Sequence, residues 1–523
     1  MVSSRFGLVR WQWILLLAVV LAASLLRFHN LSNIFLWVDE TDFFNERVFL
    51  NPPQPLLAFM SQTRDATTNT WGWPAILWIA CRFFGGTLQV ARTPGALAGT
   101  AMVLAIFFLV YRLFPRDFAG SRFIPAIGAA VFAAIAMPQM EFSQRTYPYA
   151  AAPLMGAVLL LADLYVYREL ADTRGGIRGL ARAIGWYAFV ASIVVCIHPS
   201  LNILVALSMV FLAVKLARTL PAIAESHRYR LLRWSATAAA IVFTFVILNR
   251  KNPKYGFRGY IAQYYHDISF RSIPKFLLHA YDLGTYHLNL FYNPKLYWPE
   301  RLNIALLPLI LLCVAGWWLS VTGRYGLLAK HLAWLSGATI TVIAALSFVK
   351  LFPFGGVRQT LFLSPFLLVF AVLGMYALRA TTVTKVAAGI LVAGYLSLWT
   401  VNLPKFYSER LTQYDAAELV SDSLQNGGIG ILPWYCDQAV RYWIRDPNVP
   451  VLKQTPKAPF LLVSTRRPLQ DTGWWQPLYG YLQESGYKVT LIDQKLPAHP
   501  ESLKYSGSLY FPPNGLWVYL VTD

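Results

Sequence analysis

Charge is scarce in this chain. Of its 523 residues only 13% are Asp, Glu, Lys or Arg, against about 25% in an ordinary soluble domain, which places the sequence far outside the globular range. Acids are the scarcer sign, 25 against 45 bases, so the formal charge is +20. Cysteine is rare as well. Cys81, Cys196, Cys313 and Cys436 show neither a CxxC pair nor metal-ligand spacing, which speaks against a disulfide framework and against a zinc site. No internal repeat is visible, so the inverted halves common in transporters find no support.

What fills the space is apolar, 56% of the residues. A membrane-spanning helix needs roughly 17 to 25 mostly apolar residues, and the runs 11–27, 93–113, 123–139, 150–167, 183–198, 199–217, 234–249, 304–321, 332–350, 360–378 and 384–401 qualify, about eleven spans in all. The first run follows Arg5 and Arg10 and fits the start of a signal peptide, but the many apolar runs behind it make it a retained anchor. The stretch Trp73 to Phe84, "WPAILWIACRFF", is too short. It would reach only about 18 Å as a helix, and its tryptophans suit the headgroup zone. With it held on one face and the N-terminus in the cytoplasm, the connections 114–122, 168–182, 218–233, 322–331 and 379–383 fall inside, and each carries arginine. That is the positive-inside pattern, so the basic excess reflects orientation in a membrane and not a nucleic-acid partner. Counting 73–84 as a span inverts every later loop and puts those arginines outside.

The outer face then receives a first loop at 28–92, a second near 138–149, a turn at 198–199, a fourth loop at 250–303, a fifth at 351–359 and the tail 402–523. The tail reads as strand, helix and strand through "APFLLVSTRR", "WWQPLYGYLQESG" and "YKVTLIDQ", with "GIGILP" entering another strand, a small extracytoplasmic α/β domain behind a transmembrane domain of residues 1–401.

The unusual polar residues share that outer face. "LWVDETDFF" follows the first span, and of its acids Asp39 and Glu40 are flanked by Leu36, Trp37, Val38, Phe43 and Phe44. Partial desolvation raises the proton affinity of a carboxylate and makes it a better general base; Asp42 and Glu46 read as solvated. The second loop, "PQMEFSQRTYPYA", carries Glu141, Gln144, Arg145, Tyr147 and Tyr149. Arg145 either binds a phosphate or pairs with Glu141 four residues back. "KLFPFGGVRQT" sets Arg358 after two glycines at the mouth of a span, where an anion fits both the guanidinium and a helix N-terminus. His198 ends one span, with Pro199 suited to start the next.

These pieces together resemble the glycosyltransferase C (GT-C) superfamily, in particular the bacterial relatives of protein O-mannosyltransferases and lipid A aminoarabinose transferases. The likeness covers about residues 10–210 and 350–378 and rests on "LRFHNLSNIFLWVDET", "LWIACRFFGGTLQVARTPGALAG", "FSQRTYPYA" and "FGGVRQTLFLSPFLLV". It implies a membrane glycosyltransferase of the bacterial inner membrane. The enzyme would move a sugar, with inversion, from a polyprenyl-phosphate donor to a hydroxyl of a lipid, glycan or protein acceptor. The family's catalytic base falls on Asp39, with Glu40 beside it. The donor side falls on Gln144, Arg145, Tyr149, His198, Arg358 and Gln359. Relatives commonly read S-Q-E-A-R-x-Y in the second loop, whereas here Arg145 stands at the acid's position and Tyr147 at the arginine's. The second acid is then Glu141 or Glu40, or is absent, and a divalent cation, Mg or Mn, would need the pair. The alternative is a transporter or flippase of lipid-linked saccharides, which would usually place ionisable residues inside the spans; almost none are seen there.

Overall fold

A computed structural model describes residues 8–31, 55–58, 60, 70–114, 122–171, 176–249, 273–290, 304–349, 351–408, 429–432, 460–464, 482–495 and 516–522. Its helices are α1 Arg10–Phe28, α2 Gly72–Phe84, α3 Leu88–Leu113, α4 Phe123–Ile135, α5 Met137–Ser143, α6 Ala151–Ala171 and α7 Gly176–Ile197. They continue as α8 Leu201–Thr219, α9 Glu225–Leu248, α10 Ile273–His287, α11 Leu307–Val321, α12 Leu327–Phe348, α13 Ser364–Ala377 and α14 Thr382–Ser408.

Among the described residues nine helices are long and apolar enough to cross a bilayer, namely α1, α3, α7, α8, α9, α12, α14, and α11 and α13 each with its preceding 3-10 turn. The bent pair α4–α5 makes a tenth when it is counted as one span. The last expected one, 150–167, is α6, long enough at 21 residues but carrying Asp163, Arg168 and Glu169. The chain is a multi-pass helical membrane protein. α13 is the axial helix, buried at every position from Ser364 to Gly374. α14 turns Val383, Val386, Ile390 and Val401 outward, which hydrocarbon solvates and water does not.

α2 has the expected extent. Trp73, Leu77 and Cys81, spaced by four, face the bundle, while Phe83 and Phe84 are exposed. Thr70 Oγ1 donates to the Cys196 carbonyl, and the Trp73 indole donates to the Thr146 carbonyl at 2.6 Å.

The structure corrects three expectations. The run 123–139 is not one straight helix but α4 and α5, bent by 57°. The stretch 250–303 is not all loop, because α10 lies within it. The spans are also not almost free of ionisable groups. Asp163 of α6 is fully buried and accepts hydrogen bonds from Ser208 of α8 at 2.5 Å and from His331 Nε2 of α12 at 2.6 Å. Tyr187 of α7 donates to the same serine at 2.9 Å. Four helices are thereby joined through one carboxylate whose two oxygens are both satisfied, as a buried charge requires.

At the C-terminal side four strands, β1 Ile429–Leu432, β2 Phe460–Ser464, β3 Lys488–Lys495 and β4 Leu516–Thr522, form one sheet in the order β1-β2-β4-β3. β1 and β2 are parallel and the other pairs antiparallel. α14 runs to Ser408, past the expected boundary at 401.

Candidate functional site

The bend between α4 and α5 begins with Pro138. Proline has no N–H and its ring collides with the carbonyl four residues back, here Ala134. The Met137 amide also leaves the ladder and donates to the Asn289 carbonyl at 2.9 Å. The carbonyls of Ala133 and Ala134 thus lose their helical partners inside the protein. Arg27, at the end of α1 and fully buried, takes both, through Nη2 at 2.9 Å and Nη1 at 3.0 Å. A cation at a helix C-terminus is also favoured by the dipole. Gly99 of α3 leaves the room, since a Cβ there would stand 2.8 Å from Arg27 Nε.

The bend sends α5 and the residues after it across the end of α1. Gln144, itself buried, donates its side-chain amide to the carbonyls of Leu26, Arg27 and His29 at 3.0 to 3.3 Å. Arg92 Nη1 donates to the Leu31 carbonyl at 2.8 Å. The departure point of the acidic first loop is therefore held by three buried side chains. Asp39 and Glu40 themselves lie outside the described residues. Arg145 is 1% exposed and pairs with Glu141 at 3.5 Å.

Tyr149, His198 and Arg358 are brought together from three separate connections. The Arg358 guanidinium lies over the Tyr149 ring, 5.2 Å from its centre. Tyr149 is 5.4 Å from the His198 ring and stacks on Tyr147 at 5.6 Å. His198 Nδ1 accepts from the Ser200 amide at 3.3 Å, leaving Nε2 as the ring's donor. Arg358 is half-buried and opens the 3-10 turn Arg358–Leu363 that runs straight into α13; Gln359, next to it, is buried. The positive end of the helix dipole thus coincides with the cation.

α10 closes the other side of this cluster, and its residues were not among those expected. Tyr286 packs with Phe142, Tyr149 and Leu361. Asp282 Oδ2 accepts the Gly356 amide at 3.0 Å. Burial pushes the Asp282 carboxyl above its ordinary value, against the opposing effects of that amide and of His279. His287 is buried, with Nδ1 2.8 Å from Ser364 Oγ and Nε2 3.2 Å from Thr360 Oγ1. Gln139 Nε2 donates to the same Ser364 hydroxyl at 2.6 Å. At 15 residues, with Lys, Asp and two His among them, the segment is too short to carry a span signal, and a cue within it was its Asp and His three apart on a helical period.

Below the cluster runs an apolar groove of about 670 Å³ between α2, α7 and α9, within the usual range of ligand cavities. It follows α7 from Ala181 to Ile197, roughly 24 Å at the helical rise. Its only hydroxyls, Ser192 and Thr237, are spent on the carbonyls of Ala188 and Arg233 in their own helices. The wall is therefore hydrocarbon-like throughout. Its upper end, at Ile197, Trp71 and Gly72, adjoins His198 in the chain. An apolar groove that ends one residue from His198, whose ring neighbours Tyr149 and through it the Arg358 cation, suits an amphiphile with an anionic head. Among the described residues no three His, Cys, Asp or Glu side chains are grouped to hold a metal ion.

No family model and no curated protein sequence matches the chain. Solved structures do. ArnT from Cupriavidus metallidurans, bound to undecaprenyl phosphate, is 12% identical and matches with a TM-score of 0.50 over 98% of both chains. AglB, the archaeal oligosaccharyltransferase from Archaeoglobus fulgidus, was solved with an inhibitory peptide and a dolichol-phosphate. It is 13% identical and matches with a TM-score of 0.50 over 92% of this chain and 69% of its own. The likeness spans both the bundle and nearly the whole length of ArnT, and the fold of this chain is the GT-C fold.

Proposed function

We propose that the protein is a membrane glycosyltransferase that takes a sugar from a polyprenyl-phosphate donor and passes it to an acceptor hydroxyl. The observation that carries the reading is that the apolar groove ends at Ile197, next in the chain to His198 of the His198–Tyr149–Arg358 cluster. A polyprenyl chain matches the first and a phosphate the second. The solved neighbours of the same fold hold undecaprenyl phosphate and a dolichol-phosphate.

In this reading the donor tail lies along α7 and the phosphate meets Arg358. Asp39 takes the proton of the acceptor hydroxyl while its oxygen attacks the anomeric carbon. The bond from that carbon to the phosphate oxygen breaks on the opposite face, so configuration inverts. Charge then grows on the departing phosphate, and Arg358 with the start of its helix neutralises it where water is excluded. Arg358 takes the phosphate role in preference to Arg145, which is buried and committed to Glu141. A divalent cation at Asp39 and Glu40 is compatible with the chemistry but required by no step. The active face and the tail 402–523 are extracytoplasmic, in the bacterial inner membrane, with the tail as a separate α/β domain.

The test uses full-length protein in nanodiscs with an undecaprenyl-phosphate-linked sugar. Wild type should consume the donor when an acceptor is present. Arg358→Lys should weaken undecaprenyl phosphate binding by about 1.5 to 3 kcal/mol, the cost of losing a charge-assisted bond. Asp39→Asn should bind as wild type does and lose about 10² to 10⁴ in rate. Movement of the intact donor across the bilayer without cleavage would establish a flippase instead.

A further inference from the structure

Arg358 opens the span Arg358–Ala377, yet the turn that presents it is docked on α10. Phe354 is buried and its ring stacks on Phe276 at 5.5 Å, with the planes 7° apart. The Gly356 amide donates to Asp282 Oδ2. Phe276, His279, Asp282 and Tyr286 recur at helical spacing and form one face of α10. The two glycines are what that face demands. Gly355 has φ of +127°, a region that L side chains rarely occupy. A Cβ at Gly356 would stand 2.7 Å from Tyr286 Cβ and 2.8 Å from the Asp282 carbonyl oxygen. Beyond the turn, Thr360 Oγ1 donates toward the carbonyls of Val357 at 2.7 Å and Gly355 at 3.1 Å. The backbone from 354 to 360 is thus fixed on one side by α10 and on the other by its own helix, with Arg358 between.

We propose that Asp282 is the positioning residue of the phosphate site: by holding the Gly356 amide it sets the turn against α10 and so fixes where the Arg358 guanidinium stands. This role rests on the reading of Arg358 as the residue that meets the donor phosphate. A carboxylate so near a phosphate site would ordinarily repel the ligand. Here one oxygen is committed to the Gly356 amide, which offsets part of its charge while the geometry is kept, and burial raises the carboxyl's proton affinity.

The experiment compares wild type with Asp282→Asn, Asp282→Ala and Asp282→Glu, as full-length protein in nanodiscs. It follows hydrogen exchange of a peptide covering 352–360, binding of undecaprenyl phosphate, and kcat and KM for the donor. Alanine removes the acceptor and should speed exchange at Gly356 and weaken binding about tenfold, raising KM and also lowering kcat, because a displaced Arg358 neutralises the departing phosphate less well. Asparagine offers an amide oxygen to the same N–H and should restore both. Glutamate keeps the carboxyl but lengthens the arm, so it should weaken binding as alanine does; it also keeps the test open should the alanine variant not fold. Unchanged exchange and binding in the alanine and glutamate variants would overturn the role alone. Loss of kcat in the asparagine variant, with binding intact, would make Asp282 a reacting group and overturn it too. Failure of the wild type to bind undecaprenyl phosphate would instead remove the donor reading, and this role with it.

Discussion

Arg27 replaces two amides that the backbone does not supply, and this exchange explains why an arginine can lie wholly inside the bundle. The carbonyls of Ala133 and Ala134 would each cost about 1 to 3 kcal/mol if buried without a partner, and Arg27 satisfies both. Gln144, expected on the donor side, ties the end of α1 through three carbonyls. At this scale the sequence displayed the residue types but not their partners. His287 illustrates the difference, because nothing in "GTYHLNL" announces that it lies between Ser364 and Thr360. Burial pushes its imidazole from 6.5 down to about 3. The unfolded chain therefore takes up the proton first as pH falls. Stability contributed by neutral His287 is complete above 6.5 and is lost as pH drops toward the depressed value. His287→Gln keeps a donor and an acceptor without titrating. Thermal unfolding in detergent should show the wild type's advantage over this variant shrinking steadily from neutral to acid pH, and an advantage independent of pH would contradict the assignment.

The elements were legible where length and hydropathy decide, and not where one residue does. Most spans and the short helix α2 follow from counting, since 13 residues make only about 20 Å against a hydrocarbon core of about 30 Å. The bend at Ala136 does not follow from counting apolar residues; it follows from Pro138 at the second position of α5. α10 is shorter and more polar than a span, so it passed for loop and took Asp282 out of view. The groove is likewise invisible in one dimension, being assembled from α2, α7 and α9. It offers a clean perturbation at Gly185, which lines it and has nothing within 4 Å of the place a Cβ would occupy. Gly185→Trp should fill part of the groove without a clash. It should also stabilise α7 by up to about 1 kcal/mol, since glycine is a poor helix former. A raised unfolding temperature together with undecaprenyl phosphate binding weakened at least tenfold is the expected pair of results; unaltered binding would place the tail elsewhere.

Across the whole molecule the two ends of the bundle differ in kind. One end bears Arg122, Arg168, Arg218, Arg228, Arg324 and Arg379 at or next to helix termini, with Phe114, Tyr325 and Tyr376 packed among them. The opposite end bears the bend, the His198 turn and the Arg358 turn. We propose, from the alternating connectivity and the basic bias of the first end, that the second end faces away from the cytoplasm. A cysteine introduced at position 68 or 410, in a background freed of Cys436, should react with an impermeant thiol reagent in intact cells; labelling only after lysis would invert the orientation. The division was readable because arginine distribution is a one-dimensional signal. The meeting of Tyr149, His198 and Arg358 was readable only as three separate suspicions.

The groove between α2, α7 and α9 opens sideways, with Phe189 and Ile193 of its wall exposed. A donor entering there never passes through water, so its effective concentration is a surface density, moles per mole of lipid. Diluting the suspension leaves that density unchanged, whereas adding inert lipid or detergent lowers it. The kinetics of such an enzyme follow the composition of the bilayer and are indifferent to the volume of the flask.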